Sequence, residues 1–271
     1  MLFVRWDMSP EAFSIGKIEI RYYGLMLLTA FIVMSFVFYT ILKKEGRSIF
    51  LLPLTANAVF LGGLIGARLG ECLFYHPAYF VKNPIEIIIP FKDGSYSGLY
   101  GLSGHGAGIG ILIAVYLLSR NKRLSFLYLT DRTAVAAALG IVFIRIGNLM
   151  NSEMPGLPTD MPWGFIYAQR GETFARHPIQ LYEATAYLIV FTILSKLFFK
   201  NVLNPGIILG LFMTLIFTGR FVLEFLKAPL NNFDEESFLS TGQYLCLPYI
   251  FSGLIVLMHS IMKPRTEYRT Y

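Results

Sequence analysis

Apolar runs of about 20 residues, the length that carries a helix across a bilayer, alternate along this chain with short polar stretches. They predict seven spans, at 22–42, 51–75, 98–118, 126–150, 179–199, 205–226 and 243–262. No long linker, low-complexity tract or internal repeat interrupts them, so the expectation is a single polytopic membrane domain over residues 1–271. Residues 84–91, Pro-Ile-Glu-Ile-Ile-Ile-Pro-Phe, are too short to span and predict a surface-lying or re-entrant piece. The predicted fold class is an all-α integral membrane protein of about seven transmembrane helices.

The polar stretches set the orientation. Cations crowd the loops after the first, third, fifth and seventh spans, for example Lys43, Lys44 and Arg47, then Arg120, Lys122 and Arg123, then Arg265 and Arg269. The alternate loops are longer and carry fewer, among them Lys17, Lys82, Arg170 and Lys227. The first set is therefore expected in the cytoplasm, with the N-terminus outside and the C-terminus inside. Given that orientation, the polar residues within spans fall at one depth. Arg68 and Glu71, His105, Arg145 and Asn148, Gln180 and Glu183, and Arg220 with Glu224 all lie toward the outer ends of their spans. A cavity within the outer leaflet, under periplasmic loops 151–178 and 227–242, accounts for them together. Asp131 and Arg132, near an inner end, stand apart.

Arg145 is the most informative of these. A charge at mid-membrane costs about 2.5–3.5 kcal/mol on insertion scales, so it must be paired, near an interface or in a wet cavity. Arg145, Asn148 and Asn151 are three residues apart on one broad side of a helix, Glu153 follows just beyond, and Pro155 and Gly156 are the expected helix breakers. The plainer alternative is a capped helix end whose arginine snorkels to the headgroups. Arg220 and Glu224, four apart, are expected to pair on one helix face. The glycines around His105 and the row Gly62, Gly66, Gly70 allow close helix crossings. Packing does not explain an imidazole, the side chain suited to accept a proton near neutrality.

Composition narrows the classes. With 55% apolar and 15% charged residues and a mean hydropathy of +0.57, the chain is not an ordinary soluble domain. Its net charge of +6 comes without a basic stripe, so no nucleic-acid partner is expected. Cys72 and Cys246 lie in apolar segments without metal-ligand spacing, so neither a disulfide framework, a metal site nor a cofactor is expected. Met1 to Gly16 shows no basic region followed by an apolar run, and no cleavable signal peptide is expected. Two arginines, a histidine, a tyrosine and amides at headgroup depth suit a phosphate diester, whose oxygens match guanidinium forks in pairs.

The run Arg145-Ile-Gly-Asn148-Leu-Met-Asn151-Ser-Glu153-Met-Pro-Gly156 resembles the pattern of prolipoprotein diacylglyceryl transferases, Gly-Arg-x-Gly/Ala-Asn-Phe-x-Asn-x-Glu-x-x-Gly. Ile144 and Leu149 depart from it at two apolar positions. Tyr22-Tyr23-Gly24-Leu25-Met26 resembles the family's Trp-Tyr-Gly-Leu-Met, Ser103-Gly-His105-Gly its Ser-Phe-His-Gly, and Arg176-His-Pro-Ile-Gln180-Leu-Tyr-Glu183 its Arg-His-Pro-Ser-Gln-Leu-Tyr-Glu. Arg220-Phe-Val-Leu-Glu224-Phe-Leu-Lys227 resembles Arg-x-x-x-Glu-Phe-Phe-Arg, and Thr241-Gly-Gln243 resembles Met-Gly-Gln. Ile216 stands where the family has a tyrosine.

The resemblance implies transfer of the diacylglyceryl group of phosphatidylglycerol to the lipobox cysteine of a prolipoprotein, with glycerol phosphate released, in the bacterial cytoplasmic (inner) membrane. His105, Arg145, Arg220 and Glu153 would be catalytic; Tyr23, Asn148, Asn151, Gly156, Arg68, Gln180, Glu183 and Glu224 would bind substrate. A carrier of anionic lipid or solute would use the same buried arginines, but paired broken spans in corresponding halves are not seen. A scaffold with a structural polar core is a third reading.

Overall fold

A computed structural model describes residues 3–16, 18–88, 91–92, 95–96, 102–200, 203–229 and 237–263. Residues 98–101 of the third expected span, 89–90 of the 84–91 piece and 230–236 of the last expected outer loop lie outside the described residues, as do Lys17, Arg265 and Arg269. The long helices are α1 (Tyr22–Lys44), α2 (Leu51–Gly70), α4 (Gly104–Lys122), α5 (Phe126–Met150), α6 (Ile179–Lys200), α7 (Ile207–Glu224) and α8 (Thr241–Met262), with the short α3 (Pro77–Lys82) between α2 and α4. Six of them, all but α4 among the long ones, are long and apolar enough to cross a membrane. The protein is thus a mostly helical integral membrane protein. Helix α4 falls outside that group because it opens on His105 among four glycines and closes on Arg120-Asn-Lys122. It starts later than the expected 98–118 because Ser103 caps it, its Oγ accepting from Gly106 N at 3.2 Å.

Short strands, which the all-α expectation omitted, occupy the segments between spans. β1 (Val4–Trp6) pairs in parallel with β6 (Phe165–Tyr167), and β2 (Glu11–Ile15) forms a hairpin with β3 (Ile18–Arg21). β4 (Phe91–Lys92) pairs antiparallel with β5 (Ser95–Tyr96). The first pair binds the N-terminal segment to the 151–178 loop, with Trp6 stacked on Phe165 at 5.5 Å.

The chain divides into two compact units, one of Ile41–Thr130 and one of Met1–Thr40 with Asp131–Tyr271. In the first, the glycine rows of α2 and α4 pack on each other. A Cβ on Gly70 would meet Gly106 Cα at 2.5 Å and one on Gly66 would meet Gly110 Cα at 2.8 Å, so the backbones touch and no larger residue fits. Helix α2 ends in a π-helical turn, Glu71–Tyr75. The described residues of the 84–91 piece include a 3-10 turn, Pro84–Ile87.

In the second unit α7 and α8 cross as closely, a Cβ on Gly253 meeting Met213 Cβ at 2.8 Å. Asp131 sits 3% exposed and accepts from Gly206 N and Leu209 N, each at 2.8 Å. It caps the start of α7 from α5, satisfying N–H groups that helix geometry leaves open. Arg132 stacks on Phe198 at 5.3 Å. The two charges that stood apart in the sequence are therefore fold-making groups. At the other end Ser240 and Gln243 form a capping box that starts α8.

Candidate functional site

The site begins at the C-terminal end of α5. Glu153 N bonds to Asn148 O and Ser152 N to Leu149 O, both at 2.9 Å, with Ser152 in the left-handed region at φ 52°. This is a Schellman end, in which a residue of positive φ closes the helix, usually glycine. The helix thus ends at Met150 and is closed by Ser152, ahead of the Pro155 and Gly156 expected to break it. Met154 also has φ 52°. The two reversals fold the loop back so that Glu153 returns over the last helical turn.

Its carboxylate accepts there from Asn148 Nδ2 at Oε2 and from Asn151 Nδ2 at Oε1, each at 3.0 Å. Asn148 Oδ1 in turn accepts from Arg145 Nη1 at 3.2 Å. Arg145 Nε faces Glu183 Oε2 of α6 at 3.1 Å, and Nη2 has no partner among the described residues. Gln180, one turn before Glu183, donates to Glu153 O and accepts from the hydroxyl of Tyr167 at 3.1 Å. Burial pushes the Tyr167 phenol up from its ordinary pKa, which keeps it a donor to Gln180.

The ladder continues past Glu183. Lys227 Nζ lies 3.3 Å from Glu183 Oε1 and 3.1 Å from Glu224 Oε2. Glu224 was expected to pair with Arg220, and it takes this ion pair from Lys227 three residues on. The charge of Arg220 acts on Glu183, alongside those of Arg145 and Lys227. Gly242 gives Glu224 its room, since a Cβ there would meet the carboxyl carbon at 2.8 Å. Tyr23 packs on the same turn of α5: a Cβ on Gly147 would meet its ring at 3.1 Å, and its hydroxyl feels the charges of Glu153 and Arg145.

The loop itself is clamped. Arg170 Nη1 donates to Ser152 O at 3.3 Å and Arg176 Nη1 to Gly156 O at 3.1 Å, while Glu172 joins the two arginines through its separate oxygens at 3.1 and 2.7 Å. A side chain on Gly156 would run into His177 Cβ at 2.6 Å, so glycine is required for this close approach. Ten of the twelve expected site residues, Tyr23, Arg145, Asn148, Asn151, Glu153, Gly156, Gln180, Glu183, Arg220 and Glu224, thus belong to the unit that contains this ladder.

His105 and Arg68 belong to the other unit. His105 is 1% exposed, with Nδ1 at 3.4 Å from Tyr75 Oη. Arg68 donates to Glu86 O at 2.6 Å and Ile87 O at 3.1 Å and stacks on Phe80 at 5.1 Å. These contacts hold the 3-10 turn, a structural role the sequence did not suggest for it. Lys227, Tyr167, Arg170 and Glu172 were absent from the expected site. The available signal for Lys227 was its place at the end of the Arg220–Lys227 run, where the resembled pattern has an arginine. Among the described residues no group of three or more His, Cys, Asp or Glu could hold a metal ion.

In chemical terms, unit Met1–Thr40 with Asp131–Tyr271 offers a guanidinium with donors to spare, fixed by a carboxylate and an amide whose own partners are fixed. Donors fixed in advance in this way are what binding of an anion asks for. A family model described as prolipoprotein diacylglyceryl transferase matches residues 10–259. Among curated relatives, the phosphatidylglycerol–prolipoprotein diacylglyceryl transferase of Tolumonas auensis is 37% identical over 96% of this chain and 98% of its own length. That of Chloroherpeton thalassium is 36% identical over 98% and 97%, and that of Bacteroides fragilis 37% over 94% of each.

Proposed function

The chain belongs to the prolipoprotein diacylglyceryl transferase family, and from that premise we propose how its residues carry out the transfer of a diacylglyceryl group from phosphatidylglycerol to a prolipoprotein cysteine. The thiol sulfur attacks the glyceryl carbon that bears the phosphate ester. A C–S bond forms, the C–O bond breaks, and the electron pair leaves on the oxygen of glycerol phosphate. The thiol proton goes to a base.

The observation that carries this reading is Arg145, held at Nε and Nη1 with Nη2 open. In our assignment Arg145 takes the phosphate of the donor and stabilises the charge that gathers on it as the bond breaks, with Arg220 adding its field. Asn148, Asn151, Glu153, Gln180 and Glu183 orient Arg145 and the loop; Tyr23 and Gly156 border the donor's headgroup, and Glu224 and Arg68 support the walls of their own units. His105 is assigned the thiol proton, on the chemistry of a buried imidazole turned toward a tyrosine hydroxyl. A free thiol has a pKa near 8.5, so a base raises the reactive thiolate fraction at neutral pH. No cofactor enters the scheme. The reaction test is purified protein with phosphatidylglycerol vesicles and a lipobox peptide: glycerol phosphate should be released only when the peptide carries its cysteine, and release independent of the peptide would refute the transfer.

We further propose seven spans, α4 being the seventh, in one polytopic domain of the bacterial cytoplasmic membrane, with the N-terminus outside and loops 151–178 and 227–242 on the outer side. The cations at the ends of α1, α4 and α6 and just beyond α1 and α4 support this. With Cys72 and Cys246 replaced by Ala, a cysteine at Lys44 or Lys122 should resist a membrane-impermeant thiol reagent applied to intact cells, and one at Asp160 should react. All three positions are exposed. The opposite labelling would reverse the orientation.

A further inference from the structure

Two carboxylates from neighbouring helices, Glu183 of α6 and Glu224 of α7, have side chains 2% and 3% exposed, and the ammonium of Lys227 lies between them. A lysine just past a helix end ordinarily runs its ammonium out to water. Here the side chain is 3% exposed and spends its donors on the two acids. The backbone around it is fixed as well. Lys227 bridges Gly156, Leu157 N bonds to Leu226 O at 2.8 Å, and Ala228 N bonds to Pro155 O at 3.3 Å.

The consequence falls on Glu183. With Oε1 on Lys227 and Oε2 on Arg145 Nε, its carboxyl plane is set from both sides. A carboxylate held at one oxygen alone keeps torsional freedom and would let the guanidinium turn with it. We infer that Lys227 is a positioning residue for the transfer: it fixes Glu183 and, through it, the face that Arg145 presents to the phosphate of the donor lipid. The inference rests on the assignment of Arg145 as the phosphate-binding arginine. The backbone of residues 226–228 separately ties residues 155–157 to the end of α7, so the loop bearing Glu153 and the helix bearing Glu224 are joined at Lys227.

The test uses full-length protein purified in detergent, assayed with phosphatidylglycerol vesicles and a cysteine peptide. Lys227→Met, which keeps the volume and removes the charge, should lower kcat/KM by about 10²-fold, the effect of a misplaced reacting group. Lys227→Arg, which can still reach two carboxylates, should retain most of the activity. The discriminating variant is Lys227→Met with Glu224→Gln, which removes a cation and an anion together and so also serves if Lys227→Met fails to fold. If Lys227 only neutralises buried acid, this balanced variant returns to the activity of Glu224→Gln alone, and the inference is overturned. Positioning requires it to stay about 10²-fold below that reference, because Glu183 still lacks its second anchor. A second check is the cycle with Arg145→Lys. Removing Lys227 in that background should add little, whereas losses that multiply mean independent action and would overturn the inference. Wild-type protein must transfer in the same assay. Its failure would sink the functional reading, while an active wild type beside an unimpaired Lys227→Met would sink this inference alone.

Discussion

Arg145→Lys should lower transfer by about 10²–10³-fold, the usual loss when one preorganised donor to developing charge is removed, while the protein still inserts and folds. The lysine keeps a cation opposite Glu183. It cannot meet Glu183 and Asn148 at once and still offer a third, coplanar donor, which is what the planar guanidinium does here. Arg145→Ala should lose as much or more, since it also leaves Glu183 Oε2 without a partner. The measurements are the single-turnover rate at saturating lipid and the thermal midpoint in detergent. Full activity in the lysine variant would remove the fork argument; loss of folded protein in both variants would make Arg145 a structural ion-pair member.

His105→Asn should lower turnover by about 10²–10⁴-fold, the range for losing a general base, with phosphatidylglycerol affinity largely kept. Raising the pH toward the thiol's own value near 8.5 should recover part of that loss, because solvent then generates the thiolate unaided. The sign matters: a variant lacking the base gains on going alkaline, whereas a headgroup ligand or a packing residue gives no such gain. The site of the change is the first turn of α4, where Gly106 touches Gly70, so the thermal midpoint must be read beside the rate. A flat pH profile with weakened lipid binding would move the proton to another acceptor, with Glu153 the exposed carboxylate of the ladder.

The spans were legible because a bilayer demands backbone hydrogen bonds within each segment and apolar side chains outside it, and both leave a pattern in one dimension. Polar residues that break the pattern were legible for the same reason, which is why Arg145, Asn148, Gln180 and Glu183 could be named and are found in one ladder. What stayed hidden was pairing across distance. Glu224 had a cation four residues before it and another three after, and sequence spacing favoured the first; the helix end turns Lys227 inward instead. Asp131 looked like a stray buried acid until the start of α7 was placed against it. The end of α5 at Met150 matches the expected span, but its closure by Ser152 was missed because a positive φ at a serine has no sequence mark, unlike the glycine that usually fills that position. The clamp of Arg170, Glu172 and Arg176 escaped notice because, in a loop between spans, charged residues are ordinarily solvated.

This chain is expected to form a thioether between a peptide cysteine and a diacylglyceryl group, with Arg145 holding the donor's phosphate. The most direct measurement is the mass of a lipobox peptide after incubation with the purified protein and phosphatidylglycerol vesicles. The expected result is a gain of one diacylglyceryl group on cysteine, stable to conditions that cleave thioesters, absent when the cysteine is serine, and lost with Arg145→Lys. An unmodified peptide with active, folded wild-type protein, or a gain of equal size with Arg145→Lys, would contradict it.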